Sequence, residues 1–285
     1  MVGASHSRRT KVAGYALLAV AAMLYLGPFF IQIATSFKTD AAATNHPLSL
    51  IPDPVSLAAW KRIFGFTSNS SVPFMRWLAN SVLVATCITL GRVFLDSLAG
   101  YALARLHFPG RRAVFSMVLA VLAVPGVVLL IPRFLVLKQL GLFDSYPGMI
   151  LPIAVDATGI YLMRQFFMQV PVSLEEAARI DGAGVWRTYW QVVLPLVRPG
   201  ILTLTILSFQ GSWNEFSYFL VATVSPRYYT LTTGLYNLVG GSLGAGNQYP
   251  LNLGAALLTT IPVAILFFVF QRQFVRGQLT GGTKE

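Results

Sequence analysis

A chain of 285 residues that is 55% hydrophobic and only 11% charged is not a soluble domain, in which about a quarter of residues are charged. The net charge of +11 comes from 21 lysines and arginines dispersed along the chain rather than gathered on one polar domain, which excludes a nucleic-acid-binding reading. A single cysteine, Cys87, excludes an intrachain disulfide, and His6, His46 and His107 stand isolated and suggest no metal site.

Each membrane span needs roughly 20 apolar residues, so the chain has room for several helices. Residues 1–11 are polar and basic, and residues 12–36 form the first apolar segment. A cleaved signal peptide is the rival reading, with Ala41-Ala42-Ala43 as a small-residue site. That site lies beyond Lys38 and Asp40, and the run is longer than an h-region of about 7–15 residues. An uncleaved span is expected. Residues 39–77 read as a polar loop, because Pro47, Pro52, Pro54 and Asn69-Ser70-Ser71 argue against a long helix. Trp60, Phe64, Phe66 and Trp77 in it suit a membrane interface.

Residues 78–104 are the second span. Arg92 and Asp96 stand four apart and share one helix face, which Thr89 and Gly100 extend. A charge at a helix centre costs about 2.5–3.5 kcal/mol on insertion scales, so such residues face protein or water. Two readings stay open, an intramembrane ion pair and a role toward a solute. Residues 105–112 form a short basic turn. Residues 113–137 are the third span, where Pro125 and Pro132 predict kinks or a broken end. A short loop, 138–146, leads to the fourth span, 147–167, with Pro152 and Asp156 inside it.

Residues 171–195 lack a membrane-length apolar run but are rich in signal. Pro171 stops what precedes it. Ser173 and Glu176 have capping-box spacing, and Leu174, Ala177, Ala178 and Ile180 continue a helix that Gly182 ends. A second helical stretch, 185–193, carries Trp186, Tyr189 and Trp190 before Leu194-Pro195 stops it. Two short helices about a glycine elbow suggest a docking surface, and capping alone is the blander account of Ser173 and Glu176. The fifth span covers 199–223. In it Gln210, Asn214, Ser217 and Tyr218 fall at i, i+4, i+7 and i+8, one helical stripe beside Glu215. Amides, hydroxyls and rings in that arrangement suit a polyhydroxylated solute, or equally a polar interface with a partner subunit's helices. Asn80 and Asp156 are weaker candidates of the same kind. Residues 225–251 form an outer loop, 252–274 a sixth span interrupted by Pro262, and 275–285 a polar tail.

The basic residues of 1–11, 105–112, 164–198 and 272–284 fall on one side, which the positive-inside bias makes cytoplasmic. Both termini and the 171–195 segment are then expected inside. No G-x-x-x-x-G-K-[ST] phosphate loop occurs, so any ATP is handled by another subunit.

Glu176-Ala177-Ala178, then Gly182, Val192 and Leu194-Pro195, resembles the EAA loop of ABC importer permeases, with valine in place of isoleucine as the one departure. Leu98 to Arg105 with Phe108 and Gly110-Arg111 is similar to the second-span end of carbohydrate-type permeases. Ser208-Phe209 with Trp213 to Phe216 is similar to their fifth span. Gln271-Arg272, Phe274-Val275, Gly277, Leu279-Thr280, Gly282 and Lys284 resemble a maltose-permease type of C-terminus. Asp96 stands where that pattern has a small or apolar residue.

The resemblance implies an all-α, type I ABC importer transmembrane domain of about six spans in a prokaryotic cytoplasmic membrane. Its core is expected at 76–276, after an N-terminal region at 1–75 and before a tail at 277–285. It implies a non-enzymatic subunit that binds no cofactor itself. Its expected partners are a second permease subunit, two ATPase subunits holding ATP and Mg, an extracytoplasmic solute-binding protein and a sugar-type solute. Coupling would run through Glu175, Glu176, Ala177, Ala178, Asp181, Gly182, Trp186, Leu194 and Pro195. Glu176 and Asp181 would make polar contacts with the ATPase, and Ala177 and Ala178 would allow its close approach. An ion-gradient-driven transporter and a non-transporting scaffold are the alternatives; the first would more often show repeated halves and interrupted charged spans, and no such repeat is evident here, while the amphipathic 171–195 segment is unnecessary for it.

Overall fold

Prolines and glycines set several of the helix boundaries in the structure, a computed structural model that describes residues 8–66, 72–240 and 248–281. His6, Asn69-Ser70-Ser71, the outer-loop residues 241–247, Gly282 and Lys284 lie outside the described residues. Helix α1 runs Arg8–Ser36. Two short helices follow, α2 (Asp40–Asn45), capped by the Thr39 hydroxyl accepting from the Ala42 N–H at 3.2 Å, and α3 (Ala58–Ile63). Helix α4 runs Phe74–Arg105 without a break.

Beyond α4 the apolar segments are bent. Helix α5 (Arg111–Leu122) meets a 3-10 turn (Gly126–Leu129) and α6 (Leu130–Gln139) at 100°. The break falls at Pro125, as its missing N–H and fixed φ require. Helix α7 (Tyr146–Ile150), extended by the turn Leu151–Ile153, meets α8 (Ala157–Met168) at 43°. Next come α9 (Val172–Ile180), α10 (Val185–Arg187), a π-helical stretch (Thr188–Val193) and α11 (Leu194–Leu196). An 82° bend leads into α12 (Arg198–Asn214). Helices α13 (Ser217–Ala222), α14 (Leu231–Val239) and α15 (Tyr249–Gly281) complete the chain.

Among the described residues, three helices are long and apolar enough to cross a membrane, and the number rises to as many as six if each of the three bent pairs is one span. Two expectations are corrected. The fifth segment is not one helix through residue 223, since α12 ends at Asn214. Pro262 does not interrupt α15, which continues through it; a proline within a spanning helix is tolerated where local adjustment re-satisfies the freed carbonyl.

The chain divides into two compact units. In the first, residues 1–74 with 235–261, the Gln32 amide donates to Leu253 O at 3.2 Å and Lys38 Nζ to His46 O at 2.8 Å. Phe37 and Trp60 pack with ring centroids 5.4 Å apart. The second unit, residues 75–234 with 262–285, holds the candidate site. Trp77, expected at a membrane interface, is fully buried within the protein instead. There α4 packs backbone to backbone on α8: a Cβ on Gly100 would lie 2.8 Å from Met163 Cβ and 2.9 Å from Arg164 N. Small residues permit such approach between spanning helices. Gly100→Val is therefore expected to cost at least about 1–3 kcal/mol of overpacking, read as a lowered thermal midpoint in detergent. An unchanged midpoint would mean that the two helices are not in contact.

Candidate functional site

The segment after α8 is built on one buried guanidinium. Arg105 ends α4, where a cation complements the helix dipole. Its Nε lies 3.0 Å from Glu175 Oε1, with the two side chains 9% and 3% exposed. The contact is an ion pair rather than a linear hydrogen bond. The Arg105 nitrogens also donate to Phe167 O, at 2.6 Å from Nη2, and to Val170 O. These carbonyls lie at and just past the end of α8, where the i→i+4 ladder runs out; Phe167 O also accepts the Val170 N–H at 3.2 Å. One side chain thus ties together the C-terminal end of α4, the end of α8 and the start of α9. The Tyr101 hydroxyl reaches Glu175 Oε2 at 3.5 Å.

Behind the ion pair lies an aromatic cluster. Tyr101 packs on Phe167 and Tyr189 at centroid distances of 5.5 and 5.1 Å. The Tyr189 hydroxyl bonds the Ser97 hydroxyl at 2.8 Å. The π-helical stretch turns Thr188, Tyr189 and Val193 inward together. Tyr101, Phe167, Tyr189 and Val193 belong to one apolar cluster with Met163 and Leu204.

The capping box is not formed. Pro171 is the N-cap with φ −58° and ψ 131°, so the helix starts at Val172 and no side chain caps it. Ser173 therefore lies inside the helix rather than at its cap. Glu175 and Ala178 turn inward, and Ser173, Glu176 and Ala177 face outward. Ala178, expected to admit a partner, is instead covered by its own chain. Gly182 ends the helix as expected, at φ +78°. The Gly182 N–H bonds Arg179 O and the Ala183 N–H bonds Ala178 O at 3.0 and 2.9 Å, the paired closure of a Schellman motif. The outward rim carries Glu176, Ala177, Asp181 and Gly182, with Ile180 87% and Trp186 63% exposed. Leu194 and Pro195 are half-buried.

Arg92 and Asp96 do not pair with each other. They grip the break in the fourth span from either side. Arg92 Nε donates to Ile153 O at 2.8 Å, and Asp96 Oδ1 accepts the Asp156 N–H at 3.0 Å. A helix broken within a membrane leaves such groups without internal partners, and two side chains one turn apart on α4 supply them. Asp96 is fully buried, and Gly159 leaves room for its other oxygen, which a Cβ there would meet at 2.1 Å. For Asp156 the engaged group is the backbone N–H, a role spacing alone did not reveal.

A family model described as "binding-protein-dependent transport system inner membrane component" matches residues 96–277. The sn-glycerol-3-phosphate transport system permease protein UgpE of Yersinia pestis bv. Antiqua (strain Antiqua) is 34% identical over 265 residues, which cover 92% of this chain and 93% of the relative. The arabinooligosaccharides transport system permease protein AraQ of Halalkalibacterium halodurans is 33% identical over 95% of this chain and 94% of its own. In solved structures, a chain of a bacterial ABC transporter involved in the import of the acidic polysaccharide alginate superposes with a TM-score of 0.81 at 24% identity. The match covers 95% of this chain and 99% of that one. The chain belongs to this family of ABC importer permeases. Its fold is that of the type I importer transmembrane domain. As a permease subunit of such an importer it does not hydrolyse ATP, which is the work of a separate chain.

The stripe expected on the permease's fifth span is divided. Gln210 and Asn214 lie exposed on α12, and the Asn214 amide donates to Gln210 O at 3.0 Å. The helix then stops, so Ser217 and Tyr218 do not continue that face. Glu215 is extended, with ψ 122°, and its carboxylate accepts the Tyr218 N–H at 2.9 Å. It opens α13 as a capping residue does. Tyr218 is buried in an apolar cluster with its hydroxyl on Gly148 O, and so lines no path. Asn80 is equally committed to structure, donating to Arg227 O and Tyr229 O at 2.9 and 2.8 Å while accepting the Tyr146 hydroxyl. Arg92, in contrast, reaches α12: a Cβ on Gly211 would lie 3.9 Å from its Nη1, beside Gln210. Asp144 was missed altogether. It holds φ 55° and accepts the N–H groups of Val224 and Ser225 at 3.0 and 2.9 Å. Burial pushes its carboxyl up, but the Ser225 hydroxyl and these two N–H groups outweigh that and hold it below the usual carboxylate range. Only its position before Ser145 in a short loop signalled it, and loop residues of that type often bind backbone.

Proposed function

We propose that this permease forms half of the membrane path of an ATP-driven importer for a sugar or related polyol, and that α9 transmits the ATPase's movement to the spans. The Arg105–Glu175 pair carries this reading. It joins α9 to the ends of α4 and α8, so a push on the exposed rim of Glu176, Ala177, Ile180 and Trp186 moves those helices with it. Two ATPase subunits hold ATP and Mg and close on each other. Their closure displaces α9 and its counterpart on a second, unlike permease, and the path opens alternately outward and inward. An extracytoplasmic binding protein delivers the solute. Both termini and α9 lie in the cytoplasm, in keeping with the distribution of Lys and Arg.

The names of the sn-glycerol-3-phosphate and arabinooligosaccharide relatives support a polyhydroxylated solute. Gln210 and Asn214 offer it hydrogen bonds on the exposed face of α12, and the Arg92 guanidinium adjoins that face. The test is co-purification of the assembled complex. Glu176→Lys is expected to keep the second permease and weaken ATPase capture at least about tenfold, the scale of one interface hot spot. Uptake should also fail in cells without the ATPase and weaken on Asn214→Ala. If Glu176→Lys retains full coupling of ATP hydrolysis to uptake, α9 is not the lever. Uptake that persists without any ATPase would mean an ion-gradient-driven carrier.

A further inference from the structure

An open cleft of about 610 Å³ lies where α4 ends and α5 begins, lined among others by Leu103, His107, Arg111, Arg112, Phe115 and Arg164. None of its lining residues is acidic. Arg111 is fixed by donating to Leu106 O and Ala104 O at 3.1 and 3.2 Å, and Arg164 by donating to Leu103 O at 3.4 Å. The Arg164 guanidinium also stacks over Phe115, 3.9 Å from the ring centroid. Arg112 is exposed and has no hydrogen bond or ion pair among the described residues. Arg111 and Arg112 moreover occupy the first turn of α5, which holds no acidic residue. Cations there oppose the helix dipole. Three guanidiniums therefore converge without a carboxylate to balance them.

We infer that this cleft binds the phosphodiester headgroup of an anionic phospholipid. Two features select a lipid over a free anion. The turn between α4 and α5 joins two spans, so the cleft lies at the membrane face. Helix α5 has no buried residue, and Val114, Met117 and Val121 are 43%, 66% and 53% exposed. Acyl chains can lie along that apolar surface while the headgroup sits among the arginines, the arrangement of basic pockets between spanning helices that hold acidic lipids. The assignment to the cytoplasmic leaflet rests on the orientation proposed above. Binding itself does not, so the two can fail separately.

The experiment is native mass spectrometry of the full chain in detergent, titrated with phosphatidylglycerol or phosphatidylcholine. Phosphatidylglycerol is expected to bind in preference. Arg112→Gln should weaken it by about fivefold, the scale of one basic residue near an anionic surface, and Arg164→Gln should do so independently. Arg227→Gln, which removes one charge outside the cleft, should leave binding unchanged. Equal binding of the two lipids, or retention of phosphatidylglycerol by both cleft variants, overturns the proposal. So does displacement by inorganic phosphate at matching concentration, which would make the cleft a small-anion site. Loss of the lipid adduct on adding the ATPase would make it a protein contact and equally overturn the lipid assignment.

Discussion

Replacing Glu175 by alanine is expected to cost the permease about 3–5 kcal/mol, because Arg105 would be left buried without its counter-charge. The guanidinium would keep its bonds to Phe167 O and Val170 O, so α4 and α8 would stay tied while α9 came loose. Arg105→Ala should cost at least as much, since it leaves Glu175 without its counter-charge and takes the side-chain donor from Val170 O. Arg105→Met with Glu175→Leu should recover much of the loss, as apolar replacement of a buried pair often does. Thermal unfolding in detergent of the wild type, the two single alanine variants, their double alanine variant and the Met–Leu variant forms the test. Strong non-additivity is expected for residues in contact, and strictly additive effects would mean that the pair does not form. Reconstituted ATPase assays on the same set ask a second question. A double variant that is stable yet uncoupled would place the lever in the polar tie itself. A stable and coupled one would place it in apolar packing around Tyr101 and Tyr189.

The second large effect is expected at Asp96. Asp96→Ala strands the Asp156 N–H inside the protein, at about 1–3 kcal/mol for an unsatisfied buried donor. Asp96→Asn keeps an oxygen in place for that N–H and should cost far less. An ion pair with Arg92 predicts the opposite, with asparagine as damaging as alanine. The thermal midpoints of the two variants therefore separate a grip on the helix break from charge pairing. Arg92→Ala should resemble Asp96→Ala, because Ile153 O loses its donor in turn.

Several features were legible before any coordinates. Low charge and long apolar runs required a membrane protein, since a bilayer accepts only segments that satisfy their own backbone. The break at Pro125 followed from a missing N–H, and the end of α9 at Gly182 from a left-handed turn that glycine adopts without strain. The register of Glu176-Ala177-Ala178 with Gly182 and Leu194-Pro195 named the family correctly. The capping box failed for a local reason. Ser173 and Glu176 have the right spacing, but Pro171 is the N-cap, so Ser173 lies within the helix, and Glu175 rather than Glu176 turns inward to Arg105. Spacing cannot choose between two starts one or two residues apart.

Other errors came from assuming that one apolar run is one helix. Tyr218 left the polar stripe because Glu215 breaks α12 and caps α13. Arg92 and Asp96 share a face, as expected, but the groups facing them are backbone atoms of a helix some sixty residues away in sequence. Composition, hydropathy and local motif thus determined what the chain is and where some of its helices stop, as at Pro125 and Gly182, because those depend on each residue's own solvation and dihedral preferences. Which polar side chain answers which stranded backbone group was decided by tertiary structure alone. That choice depends on which helix ends meet, and periodicity along one segment holds no record of it.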